Sequence, residues 1–232
     1  MAHRLLPIAL LSTAAAVTAT ACGAGGERAR PVHGTAPAEI AGVGYTSAEL
    51  AQALLLHVPG YRRAGEPDSG EYGTLKAVQN AARLQRGTVL DKPRCGTARP
   101  GGAVAPDVPA ALVTFAKKGM TVTQTLMGMP ASDAEKQVNA RVPADCLTFR
   151  TKVGSHRATH RVVETPKGEI GEGSRTVGVA TSTGTTGTRT WYVVFRGRHY
   201  LATITLHGPT ATRAEAERIA RASRAQASKI LP

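Results

Sequence analysis

Cysteine is scarce in this chain, at 3 in 232 residues. That excludes a disulfide-dense miniprotein and a four-cysteine zinc ribbon. Aromatic residues make up only 4%, with a single Trp, so any core must rest on Val, Leu, Ile and Ala. Acidic side chains are few as well: 16 Asp and Glu against 29 Lys and Arg leave a formal charge of +13. Long apolar runs are missing except near the start, which excludes a multi-span membrane protein. What remains is the composition of a folded domain, 42% apolar and 19% charged, and not that of a disordered chain. The length suits one domain with appendages, or at most two small ones.

The exception lies at the N-terminus. His3 and Arg4 precede an apolar stretch over residues 5–17 and a run of small residues over 18–21, the layout of a secretory signal peptide. A membrane-spanning anchor needs about 20 predominantly apolar residues, and Pro7 with the Ser and Thr content weakens that alternative. Ala19-Thr20-Ala21-Cys22-Gly23 resembles a bacterial lipoprotein box, with Ala19 where Leu or Val is commoner. The resemblance implies diacylglycerol on the Cys22 thiol and the membrane as a partner. Two or three acyl chains hold a protein stably, whereas one binds marginally. The alternative is ordinary secretion with an incidental cysteine. With Cys22 on lipid, Cys95 and Cys146 remain as an even pair, which an oxidising compartment favours as a disulfide. No CxxC or HxxxC companion supports a metal site there.

Residues 22–44 are rich in Gly, Ala and Pro without apolar periodicity and read as a flexible tether reaching roughly 25 Å. Residues 45–232 read as the domain. Thr46-Ser47-Ala48-Glu49 is a capping box, and Leu50, Ala53, Leu54 and His57 share a helical face that ends at Val58-Pro59-Gly60-Tyr61. Helices are expected at 74–85, stopped by Gly87, and at 132–142, with Ser132 as cap. Strands are expected at 110–115, 120–127, 146–152, 157–165 and 175–182. Within the second, Met120, Val122 and Gln124 alternate with threonines. Residues 190–207 alternate on either side of Gly197-Arg198, predicting a hairpin with a type II′ turn. Residues 210–230 predict a helix with Ala216, Ile219, Ala220, Ser223, Ala227 and Ile230 on one face and Arg213/Glu217 and Glu217/Arg221 at i,i+4. The fold class is α+β: a single antiparallel sheet flanked by helices.

Several stretches together resemble the extracellular sensor-domain family of PknH-type bacterial Ser/Thr kinases and LpqN-type lipoproteins. They are residues 54–61 ending in Pro-Gly-Tyr, the Cys95 and Cys146 positions, Ile170-Gly171-Glu172-Gly173-Ser174, Val193-Val194-Phe195-Arg196-Gly197-Arg198, and the terminal Ala/Arg helix. The resemblance covers roughly residues 45–232 and implies a Mog1/PsbP-like fold and a ligand-binding or sensing role. Kinase-linked members often carry a second cysteine pair, which this chain lacks, and no kinase domain is present. Signalling by phosphorylation is therefore not carried over.

No catalytic constellation is evident. GxSxG is absent, and Ser155 beside His156 points the wrong way for a dyad on a strand. His156 and His160 share a strand face, but HxxxH ligation rests on helices with a third ligand, so exposed histidines are the plainer reading. Gly184-Thr185-Thr186-Gly187 lacks the GK[ST] end of a phosphate loop and reads as a turn. Glu169 and Glu172 read as a solvated loop. Arg213, Arg218, Arg221 and Arg224 form a basic stripe, and Arg196, Arg198 and His199 a basic hairpin tip; both suit anionic surfaces or mere solubility. Trp191, Tyr192 and Tyr200 read as sheet packing. The sequence thus predicts a lipid-anchored, extracytoplasmic, non-catalytic sensing domain at the cell envelope, with an unidentified envelope ligand or protein partner, no cofactor, no metal and no nucleic acid. A secreted hydrolase and an electrostatic adaptor for anionic envelope polymers are the alternatives.

Overall fold

The structure, a computed structural model, describes residues 44–96, 104–165 and 167–232, all within a compact unit, Ile40–Pro232. The leader, Cys22 and tether residues 23–43 lie outside the described residues. The sheet is antiparallel throughout. Its strands are β1 (Arg62–Arg63), β2 (Asp68–Glu71), β3 (Val89–Leu90), β4 (Pro109–Lys117), β5 (Met120–Gly128), β6 (Thr148–Val153), β7 (His156–Glu164), β8 (Ser174–Thr183), β9 (Thr186–Arg196) and β10 (Tyr200–Gly208). They lie in the order β1-β4-β5-β10-β9-β8-β7-β6-β3, with β2 also on β4. Four helices accompany them: α1 (Ser47–Gln52), α2 (Lys76–Arg86), α3 (Ala131–Asn139) and α4 (Arg213–Ile230). The α+β class and single sheet expected from the sequence are present.

Period-2 alternation decides which side chains each layer meets. On one face Val113, Val122, Val193, Phe195, Ile204 and Leu206 are buried against α1 and α4. On the other, Leu112, Met127, Val194 and Leu201 meet Ala134 and Val138 of α3. Gln124 and Ser223 are the polar exceptions beneath α4, both fully buried. Thr212 caps α4 by accepting the Glu215 N–H at 3.2 Å, and the predicted Arg213–Glu217 pair forms at 2.7 Å. Tyr61, from the Pro-Gly-Tyr motif, donates its hydroxyl to Glu215 at 2.9 Å. Lys117 reaches the same carboxylate at 2.9 Å and lies 4.3 Å over the Tyr61 ring. Burial raises the Glu215 carboxyl, but the Lys117 and Tyr61 hydrogen bonds outweigh it and hold the pKa below the ordinary value.

Five local expectations are corrected. The Thr46–Glu49 capping box is present, but α1 stops at Gln52 and leaves His57 exposed. The physical reason is tertiary: the Leu55 N–H donates to the Gln124 side chain at 2.7 Å instead of extending the helix. Ser132 does not cap α3, which starts after Pro130 and ends at Asn139. Gly197 is not the turn residue of the β9–β10 hairpin. Its N–H pairs with the Tyr200 carbonyl at 3.0 Å, leaving Arg198 and His199 at the tip; glycine is needed because the Tyr200 ring lies where a Cβ would stand. Finally, Cys146 precedes β6 in a 3₁₀ turn, and Ile230 is exposed where Leu231 is buried.

Candidate functional site: a cavity beside the disulfide

Strands β6 to β9 extend beyond the region that α3 covers. On this side Phe149, Val162, Val177 and Val179, with Leu90 of β3 and Val142 after α3, wall a cavity of about 680 Å³. The disulfide Cys95–Cys146 borders it, with Cα atoms 5.4 Å apart. Segment 89–96 is stitched to the sheet around that bond. β3 pairs with β6, Asp91 accepts the Arg150 N–H at 2.8 Å, and the Lys92 ammonium donates to the Asp145 and Thr148 carbonyls at 2.7 Å each. Gln85 and Thr88, at the end of α2, complete the rim. Among the described residues no Asp, Glu, Lys or Arg lines the cavity.

Polar atoms enter it at a few points. His160 stacks on Phe149, with ring centroids 4.7 Å apart and planes 17° from parallel. Its Nε2 lies 2.8 Å from the Thr151 hydroxyl and its Nδ1 3.0 Å from that of Thr181. A neutral imidazole offers one donor and one acceptor, and two hydroxyls can answer both. Burial pushes the His160 pKa below its ordinary value, with Asp91 acting weakly the other way.

The sign of the pH effect follows. A depressed folded-state pKa means the unfolded chain binds the proton first, so the stabilisation is present above about pH 6.5 and is lost as pH falls through the folded value. Unfolding free energy is expected to decline as pH drops from about 7 toward about 5. His160→Gln should flatten that decline in denaturant titrations; an unchanged slope would remove His160 as its source.

Other candidates from the sequence disperse. His156 shares the His160 face, as expected, but it is exposed and does not line the cavity. Four residues along a strand is about 13 Å, too far for a shared ion. No group of three or more His, Cys, Asp or Glu among the described residues is placed to hold a metal. The expectation that both histidines are exposed is corrected for His160, whose ring is enclosed by Phe149 and the two threonines. Ser155 lies in the β6–β7 turn beside Gly154, which has φ +58°. Gly184-Thr185-Thr186-Gly187 spans the β8–β9 turn.

The Glu172 loop is more ordered than a solvated one. Glu172 donates its N–H to the Arg196 carbonyl at 3.0 Å and the Arg196 N–H returns to Gly173 at 3.1 Å, while the side chains pair at 2.9 Å. Gly171, at φ +69°, stands where a Cβ would meet the Arg196 carbonyl. Trp191 packs on the core and donates to the Ala211 carbonyl at 3.2 Å, and Tyr200 is buried. Tyr192 departs from the packing expectation by lining the cavity.

Sequence reasoning missed Arg175. It is 2% exposed, donates to the Ala140 carbonyl at the end of α3 and pairs with Glu164 at 3.4 Å. Burial lowers its pKa, and Glu164 opposes that shift. Only its place in an otherwise uncharged strand run could have flagged it.

Among the described residues no helix is long and apolar enough to cross a membrane. No protein-family model matches the chain, and no curated protein matches it. Solved structures do. The extracellular domain of PknH from Mycobacterium tuberculosis aligns over 80% of this chain and 98% of its own length, with a TM-score of 0.53 at 15% identity. An uncharacterised protein from Mycobacterium smegmatis aligns over 78% of this chain and 95% of its own, with a TM-score of 0.48 at 17% identity. The resemblance carried by the short motifs therefore holds at the level of structure: this chain has the fold of the PknH extracellular domain.

Proposed function

We propose that the chain is a non-catalytic ligand-binding domain, held on the extracytoplasmic face of a membrane by lipid on Cys22. The cavity carries the ligand-binding part of this reading. Small-molecule sites typically occupy about 300–1,000 Å³, with apolar walls and a few placed polar groups, and the 680 Å³ space beside the disulfide has that character. With no charged side chain on its described walls, it suits an uncharged ligand with an apolar body and one or two hydroxyl or carbonyl groups. His160 has both ring nitrogens on threonine hydroxyls, and no carboxylate on the described walls stands beside it to complete a triad. Export is supported by the leader pattern, the Cys95–Cys146 bond and the likeness to an extracellular domain.

The uncharged fluorophore Nile red provides a direct test with the full chain. Saturable binding is expected, and Val179→Trp, which places an indole in the cavity, should weaken it by at least about tenfold, the loss expected when a few buried apolar contacts are removed, while leaving the unfolding midpoint near wild type. Equal binding by both proteins would overturn the cavity as the site. Cellular fractionation in about 1 M salt, which screens electrostatic attachment, tests the anchor separately: Cys22→Ala should move the protein from the membrane to the soluble fraction, and a variant that stays on the membrane would refute lipid attachment there.

A further inference from the structure

The strands that floor the cavity have a second side, and it is bare. Residues opposed across an antiparallel ladder share a face. Arg150 lies opposite Thr159 and Lys152 opposite Arg157; Arg161 lies opposite Ala180, and Ala180 opposite Arg189. These five cations therefore stand together on the side away from Phe149, His160 and Val162, and all five are exposed. With about 4.8 Å between strands and about 3.3 Å per residue, the array spans roughly 14 by 13 Å. Helix α4 does not reach it: Glu217 of α4 receives the Thr176 hydroxyl, and further along β8 Ala180 and Ser182 are open to solvent.

The sequence also places basic side chains on the last helix and at the hairpin tip, where Arg218, Arg221 and Arg198 are exposed. There, however, Arg213 is paired with Glu217 and Arg196 with Glu172. None of the five strand cations takes part in an ion pair among the described residues. Asp91, at the sheet edge, accepts the Arg150 backbone N–H. Two shallow hollows on this face share Thr159 and Ser182, so hydroxyls lie between the charges.

We propose that this face docks on the headgroups of an anionic lipid bilayer, leaving the cavity open on the opposite side of the same strands. The inference stands on charge and shape and is independent of the ligand reading. A broad, exposed array complements a charged plane, and juxtamembrane basic residues each add attraction near an anionic leaflet. Val89, 66% exposed, and Val163, 52% exposed, lie on the same face. Apolar side chains among cations suit a headgroup boundary better than a dissolved polyanion. Stacking on nucleic-acid bases is not provided for, because on β9 Phe195 is buried and Trp191 lies over Gly178 with its N–H already bonded.

The test uses the full chain in co-flotation with vesicles of phosphatidylcholine plus phosphatidylglycerol, beside vesicles of phosphatidylcholine alone. Arg161→Gln should weaken partitioning to the anionic vesicles about fivefold. Changing Arg150, Lys152, Arg157, Arg161 and Arg189 to Gln together should weaken it at least about a hundredfold. Raising salt to about 1 M should abolish the difference between the proteins. A control with Arg62, Arg83, Arg86, Lys118 and Lys229 changed to Gln removes the same net charge from other exposed positions and should keep most of the binding. Equal losses in the two multiple variants would overturn the proposal in favour of net charge alone. Loss of binding to soluble polyphosphate in the strand variant, with vesicle binding unaffected, would overturn it in favour of a polymer ligand. An unfolding midpoint near wild type certifies that the strand variant is folded.

Discussion

Replacing Cys95 and Cys146 together by Ala should lower the unfolding free energy by about 4 kcal/mol. The two cysteines are 51 positions apart, and closing a loop of that length in the unfolded chain removes about 14 cal/mol/K of entropy in the chain-entropy model. For a unit spanning Ile40–Pro232, this corresponds to a midpoint roughly 8–16 °C lower. Denaturant titration of the oxidised wild type against the double variant measures it. The site should suffer alongside stability. The bond ties the segment carrying Leu90 and Gly96 to the turn before β6, and both ends border the cavity. Nile red affinity should therefore fall under conditions where the variant is still folded. A loss below about 1 kcal/mol would mean that the hydrogen bonds of Lys92 and Asp91 and the β3–β6 pairing already hold this segment.

The cavity was hard to read from sequence for a related reason. Its ingredients were visible one at a time: the cysteine pair, the alternating β7 and β8 runs, and His160 on the same strand face as His156. Alternation tells which residues share a face, but it cannot tell which face is covered and where the cover ends. That depends on α3 stopping at Asn139, which reflects packing against β9 and β10. The same limit explains why the strand array is not legible in the sequence. Helical spacing identified the α4 arginines, yet Arg213 is neutralised by Glu217, its partner at i,i+4. The strand arginines, scattered through residues 150–189, become neighbours only through the registers of β6 to β9.

Elements governed by local chemistry were legible. The Thr46 capping box, the stop of α2 at Gly87 and the inner face of α4 follow from hydrogen-bond needs and periodicity within one segment. Where a distant residue intervened, the local reading failed. The early end of α1 is one case, with Leu55 diverted to Gln124. The turn at Arg198-His199 is another, because the Tyr200 ring occupies the space over Gly197.

Gln124 is where local and distant information meet most sharply, and Gln124→Leu should cost about 2–4 kcal/mol despite improving the apolar pattern. The sequence puts Gln124 in line with Met120 and Val122, on the buried stripe of β5, and Ser223 on the inner face of α4. Each is out of character there. Together they form a chain of contacts: the Gln124 carbonyl oxygen accepts the Leu55 N–H at 2.7 Å, and its amide donates to the Ser223 hydroxyl at 2.8 Å. Leucine fills a similar volume, so little of the loss comes from packing. It comes from two buried groups left without partners, each costing about 1–3 kcal/mol, offset in part by the apolar gain of leucine. Ser223→Ala alone strands only one amide N–H and should cost less. The double variant should then be less destabilised than the sum of the singles, with a coupling of about 0.5–3 kcal/mol. Additive losses would show that the two side chains act separately and that α1, β5 and α4 are fixed by apolar packing alone. Coupled losses would show that this buried pair holds α4, β5 and the chain leaving α1 in one register, a constraint that the surrounding Val, Ile and Ala side chains are too similar to impose.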